Sequence, residues 1–260
     1  MAEPARGERI QKLLAAAGLG SRRQIEQWIR DGRVQMDGAV VTLGVRALPG
    51  AEIRLDGSVL PLPTGSLAAP EAPGGPSGAD GQPACREVLL YHKPMGEVTT
   101  RSDPQGRPTV FDRLPPPRAS GRWVVIGRLD VNTTGLLLFT TDGGLAHRWM
   151  HPSAQIEREY LVRVRGVPAG ADLARLREGL QLEDGPAHFE RIEAAGLAGS
   201  HSWFRVTLRE GRNREVRRLW RAAGFDVSRL KRIRFGPVAL PADLPPGKCR
   251  WLEQARAQQL

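Results

Sequence analysis

Residues 127–143 read GRLDVNTTGLLLFTTDG and place an aspartate between two apolar segments. Residues 123–126 before it and 136–140 within it are rich in Val, Ile, Leu and Phe, which predicts two short strands. Asp130, at a strand end beside a glycine-flanked turn, is expected to face a cleft rather than the core. Local propensity by itself favours a simpler alternative, an Asx-turn in which the carboxylate accepts N–H bonds from residues just after it.

The chain around this segment, from residue 87 onwards, reads as short strands separated by turns, with few helices. Strands are predicted where apolar residues cluster or alternate, and helices where they recur every three or four positions. The predicted elements are strands over 88–92, 160–164 and 203–208, a turn at Asp142-Gly143, and helices over 171–178 and 213–223. Mixed strands with occasional helices predict an α+β domain rather than a doubly wound parallel sheet.

The sequence of the N-terminal part predicts two helices followed by a small sheet. The first helix carries Ile10, Leu13, Leu14 and Ala17 at helical spacing and is stopped by Gly18 or Gly20. Ser21 is a candidate N-cap for the second helix, which buries Ile25, Trp28 and Ile29 and ends at Gly32. Short strands then follow at 34–36, 40–41 and 52–55, with a turn at Asp37-Gly38.

A segment rich in glycine and proline separates the two parts. Residues 61–86 contain 11 Gly and Pro in 26 positions and show no hydrophobic period. Such a segment cannot bury enough surface to offset its ordering entropy, which predicts a flexible linker. The expected organisation is therefore a small module over 8–60, a linker over 61–86 and a larger domain over 87–252.

The positive charge is concentrated near the C-terminus. The formal net charge is +10, and residues 201–260 carry 14 Lys or Arg against five Asp or Glu. A basic face of this kind attracts polyanions, of which nucleic acid is the leading candidate. Two alternatives remain open: a solubility device, and the arginine bias of a GC-rich genome, since only four of the 38 basic residues are Lys.

Several classes of protein lose support on composition and motifs. There is no apolar run near the roughly 20 residues that span a bilayer, and no GxxxxGK[ST] or GxGxxG loop for a nucleotide cofactor. Two cysteines are too few for a disulfide framework or a cysteine zinc site, and the pair His147 and His151 lacks the HExxH pattern. We therefore expect a soluble cytoplasmic protein without metal or cofactor.

Two resemblances to known families accompany these patterns. Residues 18–38, GLGSRRQIEQWIRDGRVQMDG, resemble the alpha-L RNA-binding motif of the ribosomal-protein S-four type, which implies RNA contacts by Arg22 and Arg23.

The pattern GRLDxxTxGLLLxTxDG resembles the signature of RNA pseudouridine synthases, in the ribosomal-RNA branch related to the small-subunit enzyme A. The supporting motifs are KPMG at 93–96, EYLV at 159–162, and EGRNREVRRLW at 210–220, which with VSRL at 227–230 is most similar to the large-subunit rRNA synthases.

The resemblance implies a mixed, mainly antiparallel sheet and the cofactor-free isomerisation of a uridine in RNA to pseudouridine, with exchange of the N1–C1′ bond for C5–C1′. It makes Asp130 the essential carboxylate, with attack at C1′, attack at C6 and removal of H2′ as open alternatives. It assigns Arg217 as the ion-pair partner of Asp130 and Tyr160 as the aromatic ring that stacks on the flipped base.

Further basic residues are implied to hold the RNA. Arg128 is expected to fill the gap that the flipped uridine leaves, and Lys93 to contribute to the loop or to RNA binding. The expected phosphate contacts of the third motif are Arg212, Arg214, Arg218 and Arg221. The implied partner is ribosomal RNA, most similar to the large-subunit case, and the protein is expected to act as a monomer.

Three competing functions stay open at this point. Within the family, the substrate could instead be small-subunit rRNA or tRNA. Outside it, a non-catalytic RNA-binding or ribosome-assembly factor could keep the same fold, although such a protein needs no carboxylate facing phosphates. A hydrolytic nucleosidase or nuclease would require a second carboxylate or a metal site.

Overall fold

The computed structural model describes residues 7–17, 19–20, 22–48, 50–60, 86–118, 121–258 and 260. The predicted N-cap Ser21, the helix stop Gly18 and the predicted linker up to residue 85 lie outside the described residues. The chain divides into two compact units, residues 1–74 and 75–260. Each unit is described by itself.

In the N-terminal unit, the described residues form two short helices and a small antiparallel sheet. The sheet order is β3-β2-β5-β6, and a separate pair joins β1 to β4. The elements are β1 (Glu8–Arg9), α1 (Ile10–Ala16), α2 (Arg22–Arg30), β2 (Val34–Met36), β3 (Ala39–Val40), β4 (Arg46–Ala47), β5 (Ile53–Leu55) and β6 (Ser58–Val59). Ile10, Leu13 and Ile25 are buried in its core, as the helical spacing indicates, whereas Ala17 follows α1 and is exposed.

The described residues of the C-terminal unit form one nine-stranded sheet, an additional hairpin and four α-helices. The strands are β7 (Val88–Lys93), β8 (Val124–Ile126), β9 (Thr134–Thr140), β10 (Arg158–Arg165), β11 (Leu180–Leu182), β12 (Gly185–Ala187), β13 (Arg191–Ala198), β14 (His201–Leu208), β15 (Val227–Phe235), β16 (Val238–Ala239) and β17 (Cys249–Trp251). The helices are α3 (Gly143–Met150), α4 (Gly170–Glu178), α5 (Glu215–Ala222) and α6 (Gln254–Gln258).

The main sheet runs in the order β13-β14-β10-β15-β9-β7-β17, with β16 beside β15 and β8 beside β9. Successive residues of β9 alternate between two cores, because Leu137 and Phe139 pack on the side of α5 whereas Leu136 and Leu138 pack on the side of α3. A central strand covered on both faces reads as an uninterrupted apolar run, as in LLLF. The α+β class with a mixed, mainly antiparallel sheet is confirmed.

Two local predictions need correction. Asp142-Gly143 does not form a turn; Asp142 caps helix α3, and its carboxylate accepts the N–H of Leu145 at 2.9 Å. The sequence patterns predict no strand over 191–198 or 227–235, whereas β13 and the nine-residue β15 occupy these ranges. Four of the nine residues of β15 are Arg or Lys, and its Leu230 and Ile233 stand three apart, so no apolar period of two is visible in this sequence.

The strands β9 and β15 are parallel, while the other neighbours in the described sheet are antiparallel. They meet at Gly135 and Arg232, where the backbones are so close that a Cβ on Gly135 would lie 2.2 Å from the Arg232 carbonyl oxygen. Gly135 also has φ +108°, which L side chains rarely adopt. This contact places the loop before β9 next to β15.

We expect Gly135→Ala to lower the free energy of unfolding of the C-terminal unit by about 3 kcal/mol, because both the backbone clash and the positive φ oppose a methyl group. Urea unfolding measures the loss. The matched control is Gly143→Ala, where the new Cβ meets nothing within 4 Å at the start of α3. Equal stability of the two variants would contradict the close approach of β9 and β15.

Candidate active site

The loop of residues 127–133, between β8 and β9, is fixed through its backbone; we call it the Asp130 loop. Six consecutive carbonyl oxygens each accept a hydrogen bond. The bonds run from Arg232 Nη1 to Arg128 O (3.5 Å), Thr99 Oγ1 to Leu129 O (2.8 Å), Thr133 N to Asp130 O (3.0 Å), Gly96 N to Val131 O (2.9 Å), Arg217 Nη2 to Asn132 O (2.8 Å) and Lys93 Nζ to Thr133 O (3.0 Å). The position of Asp130 is therefore set by β7, α5, β15 and the segment after β7.

The Asp130 carboxylate itself is not used for this fixation. The turn is closed by the backbone carbonyl of Asp130, which accepts the N–H of Thr133, so the alternative Asx-turn does not form. Within the described residues, no hydrogen bond or salt bridge to this carboxylate is found, and the residue is half-buried. The side chain is thus available to a reactant.

Lys93 is a buried support of the Asp130 loop. It is 0% exposed, and its ammonium donates to the carbonyls of Pro94 and Thr133. Burial lowers the pKa of Lys93 to about 8, although the carboxylates of Glu97 and Asp130 act in the opposite direction. This position corrects the prediction of an RNA contact, because an ammonium enclosed below the loop does not face phosphate.

Arg217 reaches the Asp130 loop from α5 but does not form the expected ion pair. Its guanidinium donates to the carbonyls of Asn132 and Val227, both at 2.8 Å, and no salt bridge to Asp130 occurs in the described structure. Desolvation and the charge of Arg214 lower the pKa of Arg217, whereas Asp130 raises it. Arg217 therefore acts on Asp130 through the loop backbone and through space.

Tyr160 and Arg232 lie opposite each other on β10 and β15. Tyr160 is 9% exposed and belongs to the core on the side of α5. Arg232 is fully buried; it donates to Leu136 O at 2.8 Å, and its Nη2 has no partner in the described structure. Burial lowers the pKa of Arg232, and the nearby Tyr160 hydroxyl raises it. The pair connects the predicted aromatic residue to the Asp130 loop.

Comparison with known proteins gives this arrangement a family. The family model described as RNA pseudouridylate synthase matches residues 87–222, and the S4 domain model matches residues 8–53. The chain is 52% identical over 255 residues, 97% of its length, to a ribosomal large subunit pseudouridine synthase B of Escherichia coli, of which it covers 82%. The chain belongs to the RNA pseudouridylate synthase family.

Two further similarities agree with this membership. A ribosomal large subunit pseudouridine synthase B of Pasteurella multocida is 54% identical over 244 residues, which cover 93% of this chain and 66% of that relative. A crystal structure of a pseudouridylate synthase shares 28% identity with a TM-score of 0.61, over 97% of this chain and 99% of that one. The chain is thus an RNA pseudouridylate synthase with an S4 domain, an enzyme that forms pseudouridine in RNA.

The predicted RNA-binding residues of this synthase fall into two groups. Arg128, Arg214, Arg221 and, in the N-terminal unit, Arg23 are exposed, while the Arg22 side chain is not described. Arg212 and Arg218 instead form salt bridges with Asp184, and Arg212 also binds Glu210 and the buried Glu215. These two arginines are neutralised within the protein, which corrects their assignment as free phosphate contacts.

Sequence reasoning did not identify the synthase's buried supports. Arg232 sits in a basic run that the charge pattern assigns to phosphates, yet its register beside Tyr160 places it inside. The two-residue spacing that puts Arg232 on the same face of the strand as the apolar Leu230 is the signal that could have found it. Glu97, 3% exposed, accepts the Tyr91 hydroxyl at 2.6 Å and lies near Lys93, but nothing local distinguishes it from a surface glutamate.

The lowered pKa of Lys93 predicts that the stability of the protein depends on pH. Below about pH 8 the folded and unfolded chains both carry the proton; between about pH 8 and 10.5 only the unfolded chain does, so the free energy of unfolding rises with pH. Relative to Lys93→Met, we expect the wild type to gain up to about 3 kcal/mol across this window. Urea unfolding at several pH values measures it, and parallel curves for the two proteins would contradict the lowered pKa.

Arg217→Ala should reduce turnover about 100-fold, because it frees the carbonyls of Asn132 and Val227 and lets the Asp130 loop shift. Arg221→Ala, one turn further along α5 and exposed, is the matched control and should keep most of the turnover. Single-turnover release of tritium from 5-tritiated uridine in RNA measures both. Similar losses would reduce Arg217 to one more contributor of positive charge.

Proposed function

We propose that this protein isomerises a specific uridine of large-subunit ribosomal RNA to pseudouridine. The observation that carries the proposal is the Asp130 loop: a carboxylate without a hydrogen-bond partner in the described structure, on a backbone held at six carbonyls. The choice of large-subunit RNA is supported by the names of the relatives that share 52–54% identity. The grouping with the small-subunit enzyme A stays a prediction.

The reaction requires the target base to leave the RNA stack. C5 of a paired or stacked uridine is inaccessible, so the nucleotide is flipped out of the stack towards Asp130 at a cost of a few kcal/mol. The N1–C1′ bond breaks, the uracil turns, and C5–C1′ forms; C5 loses a proton and N1 gains one, so the product is an isomer. This balance needs no oxidant or second substrate, in keeping with the proposed absence of a cofactor.

Asp130 is proposed as the catalytic carboxylate. Attack at C1′, attack at C6 and removal of H2′ all use an ionised carboxylate with a free lone pair, and all remain open. The cations Lys93, Arg217 and Arg232 donate to carbonyls of the loop, so three positive charges lie on the protein side of this carboxylate. They offset its desolvation when the flipped base excludes water.

Tyr160 and the exposed arginines are proposed to hold the RNA. The Tyr160 ring would stack on the flipped uracil, and Arg128, next to Asp130 and exposed, would occupy the space the base leaves. Arg214 and Arg221 at the ends of α5, with Arg22 and Arg23 of α2, would contact phosphates. These contacts give affinity, whereas RNA shape and loop bases would give the choice of uridine.

The protein is further proposed to act as a monomer in the cytoplasm. The longest described helices, α2 and α4, have nine residues each, and no candidate membrane span occurs in the described part of the chain.

Carbodiimide mapping of pseudouridine in ribosomal RNA from cells with and without the gene tests the substrate. Loss of one large-subunit position is expected; loss of a small-subunit or tRNA position instead would overturn the choice of RNA.

Asp130→Asn should abolish tritium release from 5-tritiated uridine in ribosomal RNA and leave RNA affinity within about twofold, because the amide keeps the shape but not the charge or basicity. The control is Asp243→Asn, which changes an exposed carboxylate paired with Arg250. Residual isomerisation by Asp130→Asn at a rate near that of the control would remove Asp130 from the mechanism. It would favour a different carboxylate, or a non-catalytic role for this loop.

A further inference from the structure

The main sheet carries a group of basic side chains on the face opposite to Tyr160. Along β10 the side chains alternate: Tyr160, Val162 and Val164 enter the core beneath α5, so Leu161, Arg163 and Arg165 project to the other side. The register extends this face to the neighbouring strands. Arg163 lies opposite Arg229 on β15 and Trp203 on β14, and Leu161 lies opposite Lys231.

We call the set Arg163, Arg165, Arg229 and Lys231 the basic face. At one end of the same three strands, Glu159 neutralises Arg205 at 3.3 Å and Arg234 at 2.9 Å. Within the described residues, no salt bridge involves any member of the basic face. On this face of the three strands, the uncompensated positive charge is therefore confined to these four side chains.

This arrangement costs stability in the free protein. Arg163 and Arg229 are direct cross-strand neighbours, and like charges in this position destabilise a sheet. Arg163 Nε is in addition buried without a hydrogen-bond partner in the described structure. The positive potential reaches His201, which lies opposite Arg165: desolvation first, and then Arg163 and Arg165, lower the pKa of His201. An anionic partner would relieve both the repulsion and the missing contacts.

The chemistry of the face selects RNA as this partner. Two adjacent strands present cations at about 7 Å intervals along each strand, which provides several phosphate contacts at once rather than a pocket for a small anion. The half-buried Trp203 stands in the same row as Arg163 and Arg229, and an aromatic ring among arginines can stack on an unpaired base.

We infer that the basic face binds the RNA substrate at a second site, through phosphates outside the nucleotide that reaches Asp130. The inference rests on the proposed function for the identity of the RNA. Arg217, which holds the Asp130 loop, comes from α5 on the Tyr160 side of the sheet, so the two sites use opposite faces. The second site would raise affinity for large RNA without taking part in the bond exchange.

The test compares the wild type with Arg163→Gln/Arg229→Gln. A control, Arg107→Gln/Arg250→Gln, removes the same charge from exposed arginines paired with Asp103 and Asp243. Filter binding of an unmodified large-subunit rRNA transcript is measured from 50 to 200 mM salt, together with tritium release at saturating enzyme. We expect the Arg163/Arg229 variant to bind about tenfold more weakly and to keep its maximal rate. The slope of log K against log salt concentration should be shallower by about 1.4, because two phosphate contacts are lost.

Urea unfolding is the accompanying measurement. The Arg163/Arg229 variant should be at least as stable as the wild type, because the substitution removes a repulsion, so weaker binding cannot be attributed to misfolding. Unchanged affinity or salt slope would overturn the inference. So would a parallel fall in maximal rate, since the face would then belong to the catalytic cleft. If the wild type binds the transcript but releases no tritium, the proposed function fails. The comparison of binding between the wild type and the variant still tests whether the basic face binds RNA.

Discussion

The geometry of the candidate site depends on hydrogen bonds from two buried cations and one half-buried cation to backbone carbonyls. Lys93, Arg217 and Arg232 each donate to a carbonyl of the Asp130 loop, and they come from three different elements, β7, α5 and β15. Charge-assisted hydrogen bonds are stronger than neutral ones, and burial makes their loss costly. The close contact of Gly135 with Arg232 is the condition for this arrangement, because it brings the middle of β15 next to the loop.

The net charge of +10 therefore has several structural uses. Arg217 and Arg232 serve as internal donors to the backbone. Arg212 and Arg218 are bound to Asp184, and Arg234 to Glu157 and Glu159. What remains for RNA in the C-terminal unit is the exposed set around the Asp130 loop and α5, together with the basic face. Charge along the sequence measures the attraction for a polyanion, but only burial and pairing separate the arginines that meet it from those that hold the protein together.

Much of the fold could be predicted from local patterns, and less of the site. Apolar runs and period-two alternation locate β7, β9, β10 and β14 to within a few residues, because those strands pack against a core on at least one face. The strand β15 could not be found in this way, since four of its nine residues are basic and its apolar residues do not alternate with them. The roles of Lys93 and Arg218 could not be predicted either. Lys93 is buried under a loop, and Arg218 is paired with Asp184, 34 residues away; the local sequence indicates neither contact.

The hydrogen bonds to the carbonyls of the Asp130 loop fix the position of Asp130 and leave the side chains of the loop for RNA recognition. A donor that binds a backbone oxygen is indifferent to the side chain at that residue, so exchange of Arg128, Val131 or Asn132 leaves the same acceptor in the same place. The outward side chains of this loop are then free to diverge as the RNA target diverges, while the aspartate between them stays fixed. A synthase built in this way can acquire a new site preference by changing the residues beside its catalytic group, without rebuilding the support below it.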